Sequence, residues 1–281
     1  MSRAAKEGVH GGTMGCPVRA GEGRSLVPRL LTVAGSDSGG GAGIQADLKA
    51  FAAAGCYGMS AIVALTAQNT VGVTAVHEVP ADFVRAQLEA VFDDLGVDAA
   101  KTGMLFSVPV IETVADYLEQ HPVPLVVDPV LIASSGARLL EEDAVETLVA
   151  RLFPLATVVT PNLAEAETLA GTGSKRELAE RLHKLGAAAA IVTGGHGEPV
   201  DHLFDGTRHV EIPVERHDVA ATHGAGCTHS AALAALLARG ASLEDAARGA
   251  AQAASSAVAK GHPELGAGDG PVDVLDLRGA A

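Results

Sequence analysis

From Leu30 onward, short apolar runs alternate with longer segments of helical period. "LLTVAG", "AIVALTA", "AAKTGML", "PLVVDPV", "ATVVTPN" and "AAAAIVTGG" read as strands, and helices are predicted near 44–54, 82–94, 108–120, 141–151, 163–170 and 175–185. The strand runs show little apolar–polar alternation, as expected where both faces of a sheet are covered. The pattern predicts an α/β fold: a central, mostly parallel sheet flanked by helices on both faces, with reactive residues at the carboxyl ends of the strands. "HLFDG" and "RHVEIPV" predict a hairpin at a sheet edge. One further helix is predicted from near Cys227 through an alanine- and leucine-rich run to a stop at Arg239 and Gly240. Residues 1–28 are rich in glycine and charge with no apolar period, so they read as a disordered tail, with Met14 an alternative start, ahead of a single domain over 29–281.

Composition narrows the function. The chain has 281 residues, 48% of them hydrophobic, enough for a large core. Twenty Lys and Arg stand against 34 Asp and Glu, and the net charge of −14 opposes nucleic acid or an anionic membrane as a partner. No apolar run is long enough to span a bilayer. The three cysteines, Cys16, Cys56 and Cys227, form no CxxC pair and fit a reducing cytoplasm. A soluble, intracellular protein is expected.

The chemistry concentrates where strands end. In "THGAGCTH" the small residues Gly224, Ala225 and Gly226 lead into Cys227 at a helix start, where unpaired N–H groups suit a phosphate or oxyanion. A thiol there is expected to ionise below its reference pKa of about 8.5 and to serve as a base. The alternative is a small buried hydrophobe after a tight turn. "SDSGGGAGIQADLKAF" is a second glycine-rich turn opening a helix. It matches neither GxGxxG, since Ile44 takes the last glycine's place, nor GxxxxGK[ST], since no lysine follows, so a dehydrogenase is not expected.

The ordered set "AGSDSGGGAGIQADLKAF", "ALTAQNTVGV", "AKTGML", "VVDPV", "TPNLAEAE", "GGH" and "THGAGCTHSAALAALLARG" resembles the hydroxymethylpyrimidine and phosphomethylpyrimidine kinase family of thiamine biosynthesis, of the ribokinase-like fold, from about Leu30 to about Leu277. The resemblance implies transfer of the ATP γ-phosphoryl group to the alcohol of 4-amino-5-hydroxymethyl-2-methylpyrimidine, and a second transfer onto the monophosphate. ATP and Mg2+ are the implied cofactors, and a homodimer is expected.

Residue by residue, the resemblance puts Cys227 at the position of the catalytic base, with the backbone of Gly224, Ala225 and Gly226 as an anion hole. Gln68 matches the pyrimidine-recognising glutamine, Asp47 the acid on the ring's amino group, and Gly35, Ala42, Met104 and Val130 the pocket walls. Asn162 and Glu165 match the Asn-x-x-Glu element that holds magnesium through water, with Asp128 a second acid; by themselves they read first as a capping pair. Gly194 and Gly195, after Thr193, would line the nucleotide. Thr193 and Ala267 stand where the family carries cations, and Lys101 and Lys260 are candidate substitutes. His183, His202, His209 and His217 lack metal-ligand spacing and read as surface residues. A pyridoxine or pyridoxal kinase and a catalytically silent homologue are the alternatives.

Overall fold

A computed structural model describes residues 27–131, 140, 142–195 and 198–279. Residues 1–26 of the expected tail, with Met14 and Cys16, and His196 lie outside the described residues, whereas Pro28, expected in the tail, accepts the Tyr57 N–H at 2.8 Å. In chain order the elements are β1 (Arg29–Ala34), α1 (Gly43–Ala53), β2 (Tyr57–Ile62), β3 (Ala64–Gln68), β4 (Val73–Glu78), α2 (Ala81–Asp94), β5 (Ala99–Thr102), α3 (Val108–Gln120), β6 (Leu125–Val127), α4 (Glu142–Leu152), β7 (Val158–Val159), α5 (Leu163–Ala170), α6 (Lys175–Lys184), β8 (Ala190–Val192), β9 (Val200–Phe204), β10 (His209–Pro213), α7 (Ala225–Ala238) and α8 (Leu243–Ala259).

Eight strands form one sheet in the order β10-β9-β8-β7-β6-β5-β1-β2. Every pairing from β2 across to β8 is parallel, and the β9–β10 hairpin closes the edge antiparallel. Successive residues along each strand serve opposite cores. Leu31, Val33, Ala100, Leu125, Val127, Ala190 and Val192 pack with α2–α6, whereas Leu30, Ala99, Val126 and Ile191 pack with α1, α7 and α8. This two-sided burial is why the strand sequences are unbroken apolar runs. Each fully buried large side chain, Phe51 or Leu30 for example, adds about 2–3 kcal/mol of hydrophobic stabilisation.

The run "AIVALTA" departs from expectation. It is two strands: β2 ends at Ile62, and β3 leaves the main sheet to pair antiparallel with β4, a strand not foreseen. The β4 residues are almost all exposed, so no apolar pattern marks them. The histidines also depart from the surface reading. His202 is buried on β9, and His183, His209 and His217 are half-buried, each with an acceptor or partner: the Ala187 carbonyl, Glu180 and the Ser255 hydroxyl respectively. An imidazole whose polar atom is satisfied can pack in a helix–strand joint as readily as an apolar ring.

Helix α7 starts at Ala225, two residues before the expected Cys227. Its middle, Ala231–Ala235, is buried on every side, which only a run of small and apolar residues permits. It packs against β1, β5, β6, α1 and α8, so its first turn stands at the carboxyl edge of the central strands.

Candidate active site

Two glycine-bearing loops meet at that edge. Gly224, the N-cap of α7, has φ +87°, and a Cβ on it would lie 1.8 Å from the Gly41 carbonyl oxygen. Only glycine fits, for conformation and for space. The 35–43 loop is folded around the Asp37 carboxylate, which accepts the N–H groups of Gly39, Gly41 and Ala42 at 2.8–3.0 Å and binds His223 Nε2 at 2.8 Å. Although burial works the other way, His223 and these N–H groups hold the Asp37 carboxyl below its ordinary value. Asp37 and His223 were not singled out from the sequence. The signal for them is an acid inside a glycine run, ready to accept the amides that the glycines expose.

The anion turn differs in one detail from expectation. The Ala225 N–H donates to the Thr222 carbonyl at 3.0 Å and is spent in the turn. Among the described residues the N–H groups of Gly224, Gly226 and Cys227 have no acceptor, and a Cβ on Gly226 would meet nothing within 4 Å. The turn therefore leaves three donors unpaired rather than four, and at Gly226 it faces open space.

Beneath it lies a buried charged cluster. Lys101, on β5 and wholly buried, contacts both Asp47 oxygens at 2.9 and 3.0 Å and Asp128 at 3.6 Å. Asp47 also accepts from the Thr32 hydroxyl at 2.5 Å, and Asp128 from the Ser230 hydroxyl on α7 at 2.8 Å. Burial by itself lowers the Lys101 pKa, but Asp47, Cys227 and Asp128 outweigh it and hold the ammonium charged. Burial pushes the Asp47 carboxyl up against the pull of Lys101; the two-point contact is that of an ion pair.

Cys227 reverses the expectation of an easily ionised thiol. Burial, reinforced by Asp47 and Asp128, pushes it up to about 12, against Lys101 and the Gly43 N–H. A helix N-terminus is worth a fraction of a charge, and two full anionic neighbours plus desolvation exceed it. Nor does either candidate lysine stand free for a phosphate: Lys101 is buried in the cluster, and Lys260 pairs with Asp276 at 2.9 Å on the surface.

The other candidates sort along the same edge. Gly35 touches Met104, its N–H donating to the Met104 carbonyl at 3.1 Å, while Ala42 lies in the Asp37-bound loop. Gln68, half-buried at the end of β3, is held by its backbone to Ser38 and takes the Thr66 hydroxyl on Oε1 at 3.3 Å. Val130 is half-buried against the core. Asn162 and Glu165 form a complete capping box at the start of α5, both bonds 3.0 Å. Glu165 also accepts the Leu131 N–H at 3.4 Å, and burial together with Asp128 pushes its carboxyl up to about 8. A buried carboxyl raised by a neighbouring carboxylate fits a divalent cation, and two such ligands completed by water and phosphate are the usual habit of magnesium. Among the described residues no group of three or more His, Cys, Asp and Glu side chains could hold a metal unaided. Thr193 bridges to Asn162, and the Gly194 N–H donates to Asp201 at 2.5 Å. A Cβ on Gly194 would lie 2.7 Å from the Val200 nitrogen, whereas Gly195 faces open space.

With this geometry in view, a family model described as Phosphomethylpyrimidine kinase matches residues 37–273. The hydroxymethylpyrimidine/phosphomethylpyrimidine kinase of Rhizobium meliloti is 50% identical over 252 residues, 86% of this chain and 95% of that protein. The thiamine biosynthesis bifunctional protein ThiED of Geobacter sulfurreducens is 49% identical over 261 residues, 89% of this chain, which spans only about half (53%) of that longer relative. Among solved structures, an ADP complex of Bacillus subtilis pyridoxal kinase superposes with a TM-score of 0.82 at 39% identity, covering 90% of this chain and 99% of the other. The sheet order and two-sided helical cover are those of the ribokinase-like fold.

Proposed function

Since the chain belongs to the phosphomethylpyrimidine kinase family, we propose that it phosphorylates 4-amino-5-hydroxymethyl-2-methylpyrimidine with ATP, and then the monophosphate, as a step in thiamine biosynthesis. The observation that carries the reading is the juxtaposition of three unpaired N–H donors at the start of α7 with a buried Lys101–Asp47–Asp128 cluster under Cys227. Phosphoryl transfer asks a protein mainly for positioning and for charge at the phosphate oxygens, and this edge is built for both.

In the proposed reaction a bond forms from the substrate oxygen to the γ-phosphorus. The bond from that phosphorus to the β–γ bridging oxygen breaks, and ADP leaves with the electron pair. The N–H groups of Gly224, Gly226 and Cys227 hold the transferring group, and Gln68 orients the ring; Asp47, expected on the ring's amino group, is instead wholly buried and bonded to Lys101 and Thr32, so it braces the cluster behind the site. Cys227 accepts the hydroxyl proton, which requires its thiol to be ionised first. The thiol's value of about 12, set first by burial and then by Asp47 and Asp128, gives the condition: positive charge beyond that of Lys101 must reach the site. Magnesium at Asp128 and Glu165 would supply charge neutralisation there and at the nucleotide. Asn162, Thr193, Gly194 and Gly195 form the nucleotide side of the cleft. The reading includes a cytoplasmic homodimer, supported by the exposed apolar residues Leu65, Val71 and Val76 on and beside the β3–β4 ribbon. No described helix is long and apolar enough to cross a membrane.

The test is ADP release by the purified chain with the pyrimidine alcohol, its monophosphate and pyridoxal as competing substrates. Faster turnover of pyridoxal than of both pyrimidines would overturn the substrate assignment. Cys227→Ala is expected to lower kcat about 10²-fold with an unchanged Tm; near-normal turnover would remove Cys227 from the base role.

A further inference from the structure

Beside the anion turn lies a cavity of about 250 Å³, walled by the loop after β3 on one side and the C-terminal segment on the other. Gln68 and Thr70 come from the first wall, Gly268 and Asp269 from the second, and His223 stands between them. The walls are fixed to each other. The Gly268 N–H donates to the Thr70 hydroxyl at 3.2 Å, and a Cβ on Gly268 would lie 2.0 Å from the Thr70 carbonyl oxygen. Asp269 is tied to the residue that leads into the anion turn, accepting the Thr222 N–H at 3.0 Å and the Thr222 hydroxyl at 2.6 Å.

The charge of this lining is one-sided, with one acid and, among the described residues, no lysine or arginine. The lining offers the amides of Gln68 and Asn69, the hydroxyl of Thr70 and the carboxylate of Asp269. The imidazole of His223 is committed to Asp37 at 2.8 Å. The oxygens of Gln68, Asn69 and Thr70 are already engaged by Thr66, Val71, Gly72 and Gly268, so these residues present neutral donors to an uncharged ring. A phosphate dianion meets a carboxylate, inside a chain whose net charge is already −14. We infer that Asp269 is a specificity-determining residue that favours the uncharged alcohol over its phosphorylated form, so that this chain performs the first transfer more efficiently than the second. The inference rests on the pyrimidine kinase reading above and adds to it the preference between its two substrates.

The experiment compares kcat/KM of the full chain and its Asp269→Asn variant with the alcohol and with the monophosphate, at low and at high salt. Asparagine keeps an oxygen to accept the Thr222 N–H and removes the charge. The expected result is a shift of the ratio toward the monophosphate by about fivefold at low salt, shrinking as salt rises. Thr222→Val is the companion variant: it removes the hydroxyl bond to Asp269 but leaves the charge, and both efficiencies should fall together with their ratio unchanged. An unchanged ratio in Asp269→Asn, or an equal shift in Thr222→Val, would overturn the inference while leaving the kinase reading intact. Turnover of neither pyrimidine by the unsubstituted chain would overturn the reading itself, and the inference with it.

Discussion

Two buried polar clusters sit along the same edge of the sheet, and they are finished to different degrees. Under Cys227, Lys101, Asp47, Asp128, Thr32 and Ser230 satisfy one another, with contacts of 2.5–3.6 Å. Near Gly194, Asp201 accepts the Gly194 N–H, but His229 approaches Asp201 at 3.2 Å without hydrogen-bond alignment. Among the described residues both His229 nitrogens and the Thr160 hydroxyl are buried without a hydrogen-bond partner; beside the first cluster the Thr102 and Thr228 hydroxyls are unpaired too, but every charged group there has its partner. A fully paired buried network fixes a geometry, whereas unpaired buried groups are the exceptions that call for a reason. The contrast teaches that the proposed substrate side is set before any ligand arrives, while the proposed nucleotide side keeps polar capacity in hand.

The largest break in that contrast should come from Lys101→Met. It leaves the Asp47 and Asp128 carboxyls buried beside each other without their cation, and removing one partner of such a pair costs about 3–5 kcal/mol. Urea unfolding should show the loss; a variant within 1 kcal/mol of the parent, on the order of the worth of an exposed pair, would mean that the cluster is not preorganised as described.

A smaller effect should appear in the dependence of stability on pH. Glu165 titrates at about 8 in the fold against an ordinary 4.5, so the native state binds the extra proton. Its contribution is fully present below pH 4.5 and is lost as pH rises toward about 8, with a slope of no more than about 1.4 kcal/mol per pH unit. In EDTA, Glu165→Gln should flatten this slope while keeping the capping box, since glutamine serves at that position. Identical pH profiles for the two proteins would count against a carboxyl held high by burial and Asp128.

His229→Leu should change least, within about 1 kcal/mol, because it removes two unsatisfied nitrogens along with the packing of the ring. A loss as large as that of Lys101→Met would show His229 to be as tightly bound into its cluster as Lys101 is.

The parallel sheet, the six helices from α1 to α6 and the β9–β10 hairpin were legible in the sequence, because apolar period and helix-forming runs are local properties of the chain. So was the glycine turn before Cys227, since a helix start needs no long-range partner to expose its N–H groups. The β3–β4 ribbon was not legible: β4 is exposed on nearly every residue, and its pairing with β3 is decided by where β2 ends. The charge state of Cys227 escaped the sequence as well. Local reasoning weighs the helix terminus next to it, but the thiol's proton is held first by burial and then by Asp47 and Asp128, 180 and 99 positions away in the chain. The same holds for Lys101, which the sequence offers as a free cation and the fold spends on Asp47, and for the pairing of Asp37 with His223 across 186 positions. What the sequence determined by itself is the set of elements and the residue types at their ends. Which of those side chains face one another, and therefore which charges are compensated, was decided by the crossovers that bring β1, β5, β6 and α7 together. Electrostatic energy in a buried site depends on distances that no local pattern records.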